Sequence, residues 1–510
     1  MPEQPPEQPP PGPISEDPTL GGAGSDEVAV VPWPLLLRRS VAHRVSTGPR
    51  YRWWVLWAVL FGLLAVNVTF TILAVALPRI GRDMHTSTNT MTWVITGPLL
   101  LFGVTAPVLG KAGDIWGHRR IYVIGLLGAC VCAAGSAAAW SAGSLIAVRT
   151  LGGMEGAATG AASMALIFSV FEPGDRVKAM GFWSLVGAGG PVIGVAIGGP
   201  IIQHFGWRWI FVTQVPLIAV ATVLAVLVLP ETVKGERQRL DWAGAVALTV
   251  SVTSVLMALN RGPEWGWSHP IVVAAFALAP VALVAFLRIE ARAPHPLLPL
   301  AYLRRRNFAA PIGQSAFSQF AYMGGFILAP LLLDKVFHYD ETRIGLLVIA
   351  RPLAFSVTAP IAGYLAVRLG ERSAAIVGTL GVIASMGVFA TIDARSSDLV
   401  LISALVLSGV GLGISSPSVA ASVGNAVDEA DLGIASAAQQ LLTQVGLVAG
   451  IQLMQTVQAA REPSVGTVAA FHEAYLLGGA VCALALVCAV WVRSADRDAF
   501  ERAAAPVAAA

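Results

Sequence analysis

Apolar runs of about twenty residues recur along nearly the whole chain, and that spacing points to a bundle of membrane-spanning helices. Crossing the hydrocarbon core takes roughly 20 mostly apolar residues. About fourteen stretches meet that requirement: 53–78, 91–110, 121–139, 144–168, 178–203, 207–229, 241–260, 270–287, 309–333, 342–366, 373–391, 399–424, 433–457 and 474–493. The expected class is all-α and integral to a membrane. Composition agrees, with 55% hydrophobic and only 12% charged residues, against about a quarter charged in a soluble domain. The 52 glycines fit helices packed closely in lipid, where small residues let backbones approach.

Charge orients the bundle. With the N-terminus inside, the inward segments carry most of the basic residues, among them Arg38, Arg39, Lys111, Arg119, Arg120, Arg304, Arg305 and Arg306. The outward loops hold only Arg79, Arg82, Arg208, Arg261, Lys335, Arg343, Arg395 and Arg461. The positive-inside rule therefore places both termini in the cytoplasm and the protein in the plasma membrane. The net charge of +3 serves orientation, so no nucleic-acid partner is expected. Residues 1–50 are rich in Pro, Glu, Gln, Gly and Ser and read as a disordered tail, and 494–510 as a second tail. Cys130, Cys132, Cys482 and Cys488 lie in apolar runs and read as small hydrophobes. No cluster has metal-ligand spacing, and no cofactor is expected.

Two stretches repeat in the same direction, 253 positions apart. Val104-Thr105-Ala106-Pro107 with Gly110, Gly117 and Arg119 returns as Val357-Thr358-Ala359-Pro360 with Gly363, Gly370 and Arg372. Near offsets align Leu145, Ile146, Leu151 and Gly153 with Leu401, Ile402, Leu407 and Gly409, and Gly190, Val192 and Gly194 with Gly446, Val448 and Gly450. A parallel repeat of spans implies two similar halves facing a central site, as in many secondary transporters. The expected division is a six-helix half at 53–229, two inserted helices at 241–287, an amphipathic cytoplasmic linker at 288–307 and a second six-helix half at 309–493.

The turn after the second span reads Gly110-Lys111-Ala112-Gly113-Asp114-Ile115-Trp116-Gly117-His118-Arg119-Arg120. Glycines permit a tight reversal, and Asp114 precedes a helix start, where a carboxylate is favoured by the helix dipole. This motif resembles the signature of the major facilitator superfamily, Gly-x-x-x-Asp-x-x-Gly-x-Arg-Arg. The resemblance implies a gate in which Gly110, Gly113, Asp114, Gly117, Arg119 and Arg120 hold the cytoplasmic ends of the halves together. In the second copy Val367 stands where Asp114 does in the first. The fifth span carries Gly187, Gly190, Pro191, Gly194 and Gly198, similar to the antiporter signature of drug exporters in the superfamily, a hinge that also serves close helix packing. Thr71 to Pro78, and Trp207-Arg208-Trp209-Ile210-Phe211 with Pro216, resemble the fourteen-span drug:proton antiporter branch. Two departures stand out. Thr69 occupies the place where that branch usually carries an acid, and Gln214 the place of an Asn.

Charges inside a membrane are costly and mark functional positions by default. They are Arg149 and Glu155 in the fourth span and Arg351 in the tenth. At ~1.5 Å per residue, Glu155 lies roughly 16 Å from the outer end of its span. It is the candidate proton-accepting carboxyl, with Arg149 at the position of the family's coupling arginine and Arg351 as a partner across the halves. Permanent ion pairing that only fixes helix packing is the alternative. Asn67, Thr69, Gln314, Gln440 and Gln444 are candidates for a substrate cavity, with interhelical hydrogen bonding as the alternative. The resemblance implies alternating-access export of small amphiphilic compounds of the drug or multidrug type in exchange for protons. A facilitator-type carrier of one metabolite and a non-transporting sensor are the alternatives. No nucleophile–base set or phosphate-cradling loop points to an enzyme.

Overall fold

The structure, a computed structural model, describes residues 50–493 apart from 87, 92, 233–240, 295 and 297. The two tails and residues 233–240, between the first half and the inserted helices, lie outside the described residues. Among those residues there is no strand, and fourteen helices of nineteen residues or more form the bundle. They are α1 (Tyr51–Asp83), α2 (Trp93–Trp116), α3 (His118–Ala137), α4 (Ala142–Val170), α5 (Arg176–Phe205), α6 (Arg208–Val228), α7 (Trp242–Trp265), α8 (Pro270–Glu290), α9 (Arg306–Lys335), α10 (Ala350–Leu369), α11 (Glu371–Phe389), α12 (Asp398–Asn425), α13 (Leu432–Val465) and α14 (Thr467–Trp491). Eleven helical segments are long and apolar enough to cross a membrane, or twelve when the bent pair Trp93–Gly103 and Thr105–Trp116 of α2 is one span. α4 and α5 are not among them. The charges Arg149 and Glu155 and several glycines dilute the apolar content of α4, and many side chains of α5 lie outside the described residues.

The repeat in sequence is a repeat in packing. α1 lies against α5 and α6, α2 against α4, and α3 against α4 and α6. In the same pattern α9 lies against α13 and α14, α10 against α12, and α11 against α12 and α14. α7 and α8 pack on each other, and α7 leans on α2 and α13. Each set has its own core, around Leu60, Tyr122 and Phe168 in one and Met386, Phe389 and Tyr475 in the other.

Matched glycines set the distances within each half. A methyl on Gly153 of α4 would stand 2.3 Å from the Pro98 carbonyl of α2. One on Gly409 of α12 would stand 2.2 Å from the Arg351 carbonyl of α10. Only a residue without a side chain permits such backbone contact. The turns that follow α2 and α10 also match. Gly117 and Gly370 adopt φ of 98° and 86°, a region that side chains disfavour. The α3 start is capped from another helix end, where His118 N–H donates to Thr232 Oγ1 at 2.9 Å.

α1 begins and α14 ends at one end of the bundle, here the terminal face. Tyr51 of α1 donates to the Val228 carbonyl of α6, and the Arg493 N–H beyond α14 donates to Asn307 of α9. In the linker expected to be an amphipathic element at 288–307, the described residues between the flanking helices form a one-turn helix, Ala301–Arg304, and no longer element. It is fastened rather than free, because Tyr302 donates to Asp428 at 3.0 Å and Asp431 at 2.7 Å in the α12–α13 turn.

Candidate functional site

The halves meet through α2 on α13, α5 on α10 and α12, and α4 on α13. The seam is built from backbone. A methyl on Gly110 of α2 would stand 2.6 Å from the Gly433 carbonyl, and one on Gly433 of α13 would stand 2.4 Å from the Gly110 carbonyl. The second contact is its copy. A methyl on Gly363 of α10 would stand 2.8 Å from the Val177 carbonyl, and one on Gly181 of α5 would stand 2.8 Å from the Ala359 carbonyl. Ser184 and Ser416 share a 3.1 Å hydrogen bond across the same seam.

Asp114 is the polar pin of the seam. Its two oxygens accept the Gly433 and Ile434 N–H groups at 2.7 and 3.0 Å. Those are orphan donors at the start of α13, so a carboxylate of one half caps a helix of the other. His118 Nε2 lies 3.3 Å from the same carboxylate. Lys111, one turn earlier, reaches Asp431 at 3.5 Å. Asp431 thus takes Lys111 from across the seam and Tyr302 from the linker. Sequence reading singled out Asp114 but not Lys111, Asp431 or Tyr302. The position of Lys111 inside the motif was the only available signal.

The other motif residues are placed differently. Arg119 pairs with Glu231 at 3.1 Å and donates to the Val226 carbonyl, both beside α6 of its own half. Arg120 is exposed. Gly113 packs against the His118 ring, which a methyl would meet at 2.5 Å. Arg176 joins the seam instead, donating to the Gly424 carbonyl and Asn425 at 3.0 and 3.1 Å.

Of the glycines expected to form a hinge in α5, Gly187 and Gly190 meet no tight contact, and Gly194 is buried. Nothing lies within 4 Å of a methyl on Gly187, and one on Gly190 meets Leu64 at an ordinary 3.6 Å. Their repeat partners carry the tight contact. Methyls on Gly446 and Gly450 of α13 would stand 2.1 Å from the Ala316 and Phe320 carbonyls of α9. α5 runs through Pro191, Gly194 and Gly198 as helix. The side-chain surroundings of Pro191 and Gly198 lie outside the described residues.

Glu155 and Arg149 lie near enough to bear on each other electrostatically without an ion pair among the described contacts, and Arg351 stands apart from both. Glu155, 9% exposed, faces α3, where a methyl on Gly128 would meet its Cβ at 3.9 Å and the Cys132 thiol is its hydrogen-bonding neighbour. Its Oε2 has no partner. The repeat equivalents of Gly128, Cys132 and Glu155 are Gly381, Ser385 and Gly411, and there the α11 and α12 backbones close directly, with Gly411 Cα 3.0 Å from a methyl on Gly381. Glu155 fills a niche that the second half leaves packed. Arg149 lies 5.8 Å from the Phe211 ring of α6, and its Nε is unpartnered. Arg351, offered as a partner of Glu155, lies instead in the other half, 4.0 Å over the Tyr322 ring.

The uncharged candidates divide. Gln314 is buried within one half, donating to Thr379 and Ser318 at 2.8 and 3.1 Å. Thr69 is buried between α1 and α6, where Gln214 donates to it at 3.2 Å and to the Ala65 carbonyl at 2.9 Å. The two departures from the antiporter branch therefore form one hydrogen-bonded pair, which the sequence flagged separately and could not join. Neither Gln314 nor Thr69 lines a space between the halves. Gln440 does span them, against Gly160 and Met164 of α4. Gln444, one turn on, is half-buried, and Asn67 is exposed beside Gly190. Among the described residues no group of three His, Cys, Asp or Glu could hold a metal.

Two six-helix sets related by a parallel repeat, joined at one end by a glycine seam and a motif aspartate, define a membrane transporter of the facilitator type. The chain belongs to the Major Facilitator Superfamily, whose family model matches residues 59–451 and again 312–508. It is 31% identical over 425 residues to the tetracenomycin C resistance and export protein of Streptomyces glaucescens, covering 82% of this chain and 79% of that one. It is 30% identical over 412 residues to the puromycin resistance protein pur8 of Streptomyces alboniger, covering 80% and 82%. Among solved structures, a double-tryptophan mutant of XylE superposes with a TM-score of 0.65 at 14% identity, covering 87% of this chain and 96% of that one, which shows the fold. The family and these neighbours are transporters, not enzymes.

Proposed function

We propose that this protein exports small amphiphilic compounds of the drug or multidrug type by alternating access, in exchange for protons. The observation that carries the reading is the 31% identity, over most of both chains, to a protein named for antibiotic resistance and export. All fourteen long helices cross the bilayer in this reading, and the terminal face is cytoplasmic because the basic residues gather on it. The seam of Gly110, Gly433, Gly181 and Gly363, pinned by Asp114, is then the closed cytoplasmic gate. Opening that gate while the opposite ends close is the transport step. Glu155 is the coupling carboxyl. It is buried in mid-helix, and its unpartnered oxygen leaves room for a proton.

The test uses everted membrane vesicles with an imposed proton gradient, a diverse compound panel and a pH-sensitive dye. Compound-dependent proton release by the wild type, lost in Glu155→Gln, is the expected result. Release that survives in Glu155→Gln would remove the coupling role from this residue. Absence of release with every compound would refute proton-driven export.

A further inference from the structure

Arg351 is an intramembrane charge that neither the gate nor the coupling carboxyl uses. It is fully buried, at 0% exposure, in the first turn of α10. No carboxylate or backbone carbonyl accepts from its three guanidinium nitrogens, and the Tyr322 hydroxyl is their hydrogen-bonding neighbour. The groups that bear on it are the phenols of Tyr322 and Tyr475, with no carboxylate among them. Its guanidinium lies 4.0 Å from the Tyr322 ring centre and 5.8 Å from that of Phe326, both on α9. The buried Tyr475 hydroxyl of α14 is also without a partner, while its ring stacks on Phe389 at 4.6 Å.

A guanidinium stays charged in proteins. Buried without a counter-ion, it carries a desolvation penalty that the ring faces offset only in part. The fold does not demand the charge, because the repeat equivalent of Arg351 is Pro98, and both positions give their carbonyl to a matched glycine. A cost kept at a position that packing leaves free marks a site for something absent from the chain. The donors point to an anion, and the rings of Tyr322 and Phe326 beside the guanidinium point to an aromatic one. The site is placed where it can feel the gate. α10 is interrupted at Ile349, after the short helix Glu341–Val348, and the same helix holds Gly363 in the seam.

We propose that Arg351 and the Tyr475 hydroxyl bind the anionic group of an aromatic substrate, an aromatic carboxylate or similar monoanion. This rests on the exporter reading and narrows its substrate class.

The test is binding to the purified full-length protein, read as thermal unfolding by tryptophan fluorescence. The probes are sodium benzoate, uncharged benzamide and sodium chloride. Benzoate is expected to raise the wild-type melting temperature saturably, with benzamide and chloride without effect. The shift should vanish in Arg351→Met and persist, weakened at least threefold, in Arg351→Lys. Without ligand, Arg351→Met should melt at or above the wild-type temperature, because it removes an uncompensated buried charge. An equal shift with benzamide, a full shift with chloride, no benzoate shift, or a shift retained in Arg351→Met would each overturn the inference. So would a melting temperature several degrees lower for Arg351→Met, which would make the arginine structural. The vesicle experiment stands apart. Export of cationic compounds with no benzoate binding would sink this inference and leave the exporter reading intact.

Discussion

Replacing Asp114 with Asn should loosen the seam, which the proposed function makes the closed cytoplasmic gate. The carboxylate accepts two N–H groups at the start of α13, at 2.7 and 3.0 Å. The amide of Asn keeps one acceptor and turns a donor toward the other N–H. One charge-assisted hydrogen bond is lost, worth about 1.5–3 kcal/mol, and the helix-start charge with it. A central value of about 2 kcal/mol shifts the closed–open equilibrium about thirtyfold. Ser184 is a suitable reporter, since it is 2% exposed and bonded across the seam to Ser416. In a background lacking the four native cysteines, Ser184→Cys should react slowly with an impermeant maleimide added to everted vesicles. Asp114→Asn should raise that rate tenfold or more. An unchanged rate in a well-expressed Asp114→Asn protein would refute the account of Asp114 as the pin.

Two further outcomes follow from the packing and charge. Gly450→Ala places a methyl 2.1 Å from the Phe320 carbonyl, so it should cost about 1–3 kcal/mol by overpacking and lower the melting temperature and yield, whereas Gly187→Ala, with open space around it, should match wild type; equal behaviour of the two would contradict the assignment of tight contact to α13. Asp175 lies in the turn before α5. Burial alone would raise its pKa, but Lys178 at 2.6 Å and Arg52 at 2.9 Å outweigh burial and hold it below the usual carboxylate value. A depressed folded pKa contributes stability above the unfolded value of about 3.9, and the contribution is lost as pH falls through the folded one. Asp175→Asn should therefore lower the melting temperature between pH 5 and 8, with the difference closing below about pH 4, and a pH-independent difference would exclude the ion-pair explanation.

The repeat was legible because it is written in backbone-defining residues. Gly110 and Gly363, and Gly117 and Gly370, do the same geometric job twice, so their identity survives in both copies. Asp114 was legible for a similar reason, since a carboxylate ahead of a turn has few other uses. What it caps was not legible, because Gly433 is 319 positions away and no local pattern marks an orphan N–H. The charges were found but mispaired. Depth along a helix can be counted from sequence, whereas the direction in which Glu155 and Arg351 face depends on which neighbours leave space. Gly128 opens that space for Glu155, and the rings of Tyr322 and Phe326 cover Arg351. Thr69 and Gln314 illustrate the same limit. A polar residue in an apolar run is equally suited to a cavity or to a neighbouring helix, and here the neighbours Gln214 and Thr379 take them.

The glycine seam also bears on how quickly the halves can part. Its contacts are carbonyl oxygens against Cα atoms, at Gly110 with Gly433 and at Gly363 with the α5 backbone. Closing an interface of leucines or lysines freezes rotamers, at up to about 2 kcal/mol for each long side chain. A glycine seam has no rotamers to freeze. At the glycine contacts closure carries no side-chain entropy cost, so that cost falls on the few polar side chains that cross the seam, among them Asp114, Lys111, Arg176 and Ser184. In the exporter reading, the face that breaks and re-forms on every cycle is thus built largely from the parts of the chain that have least to rearrange.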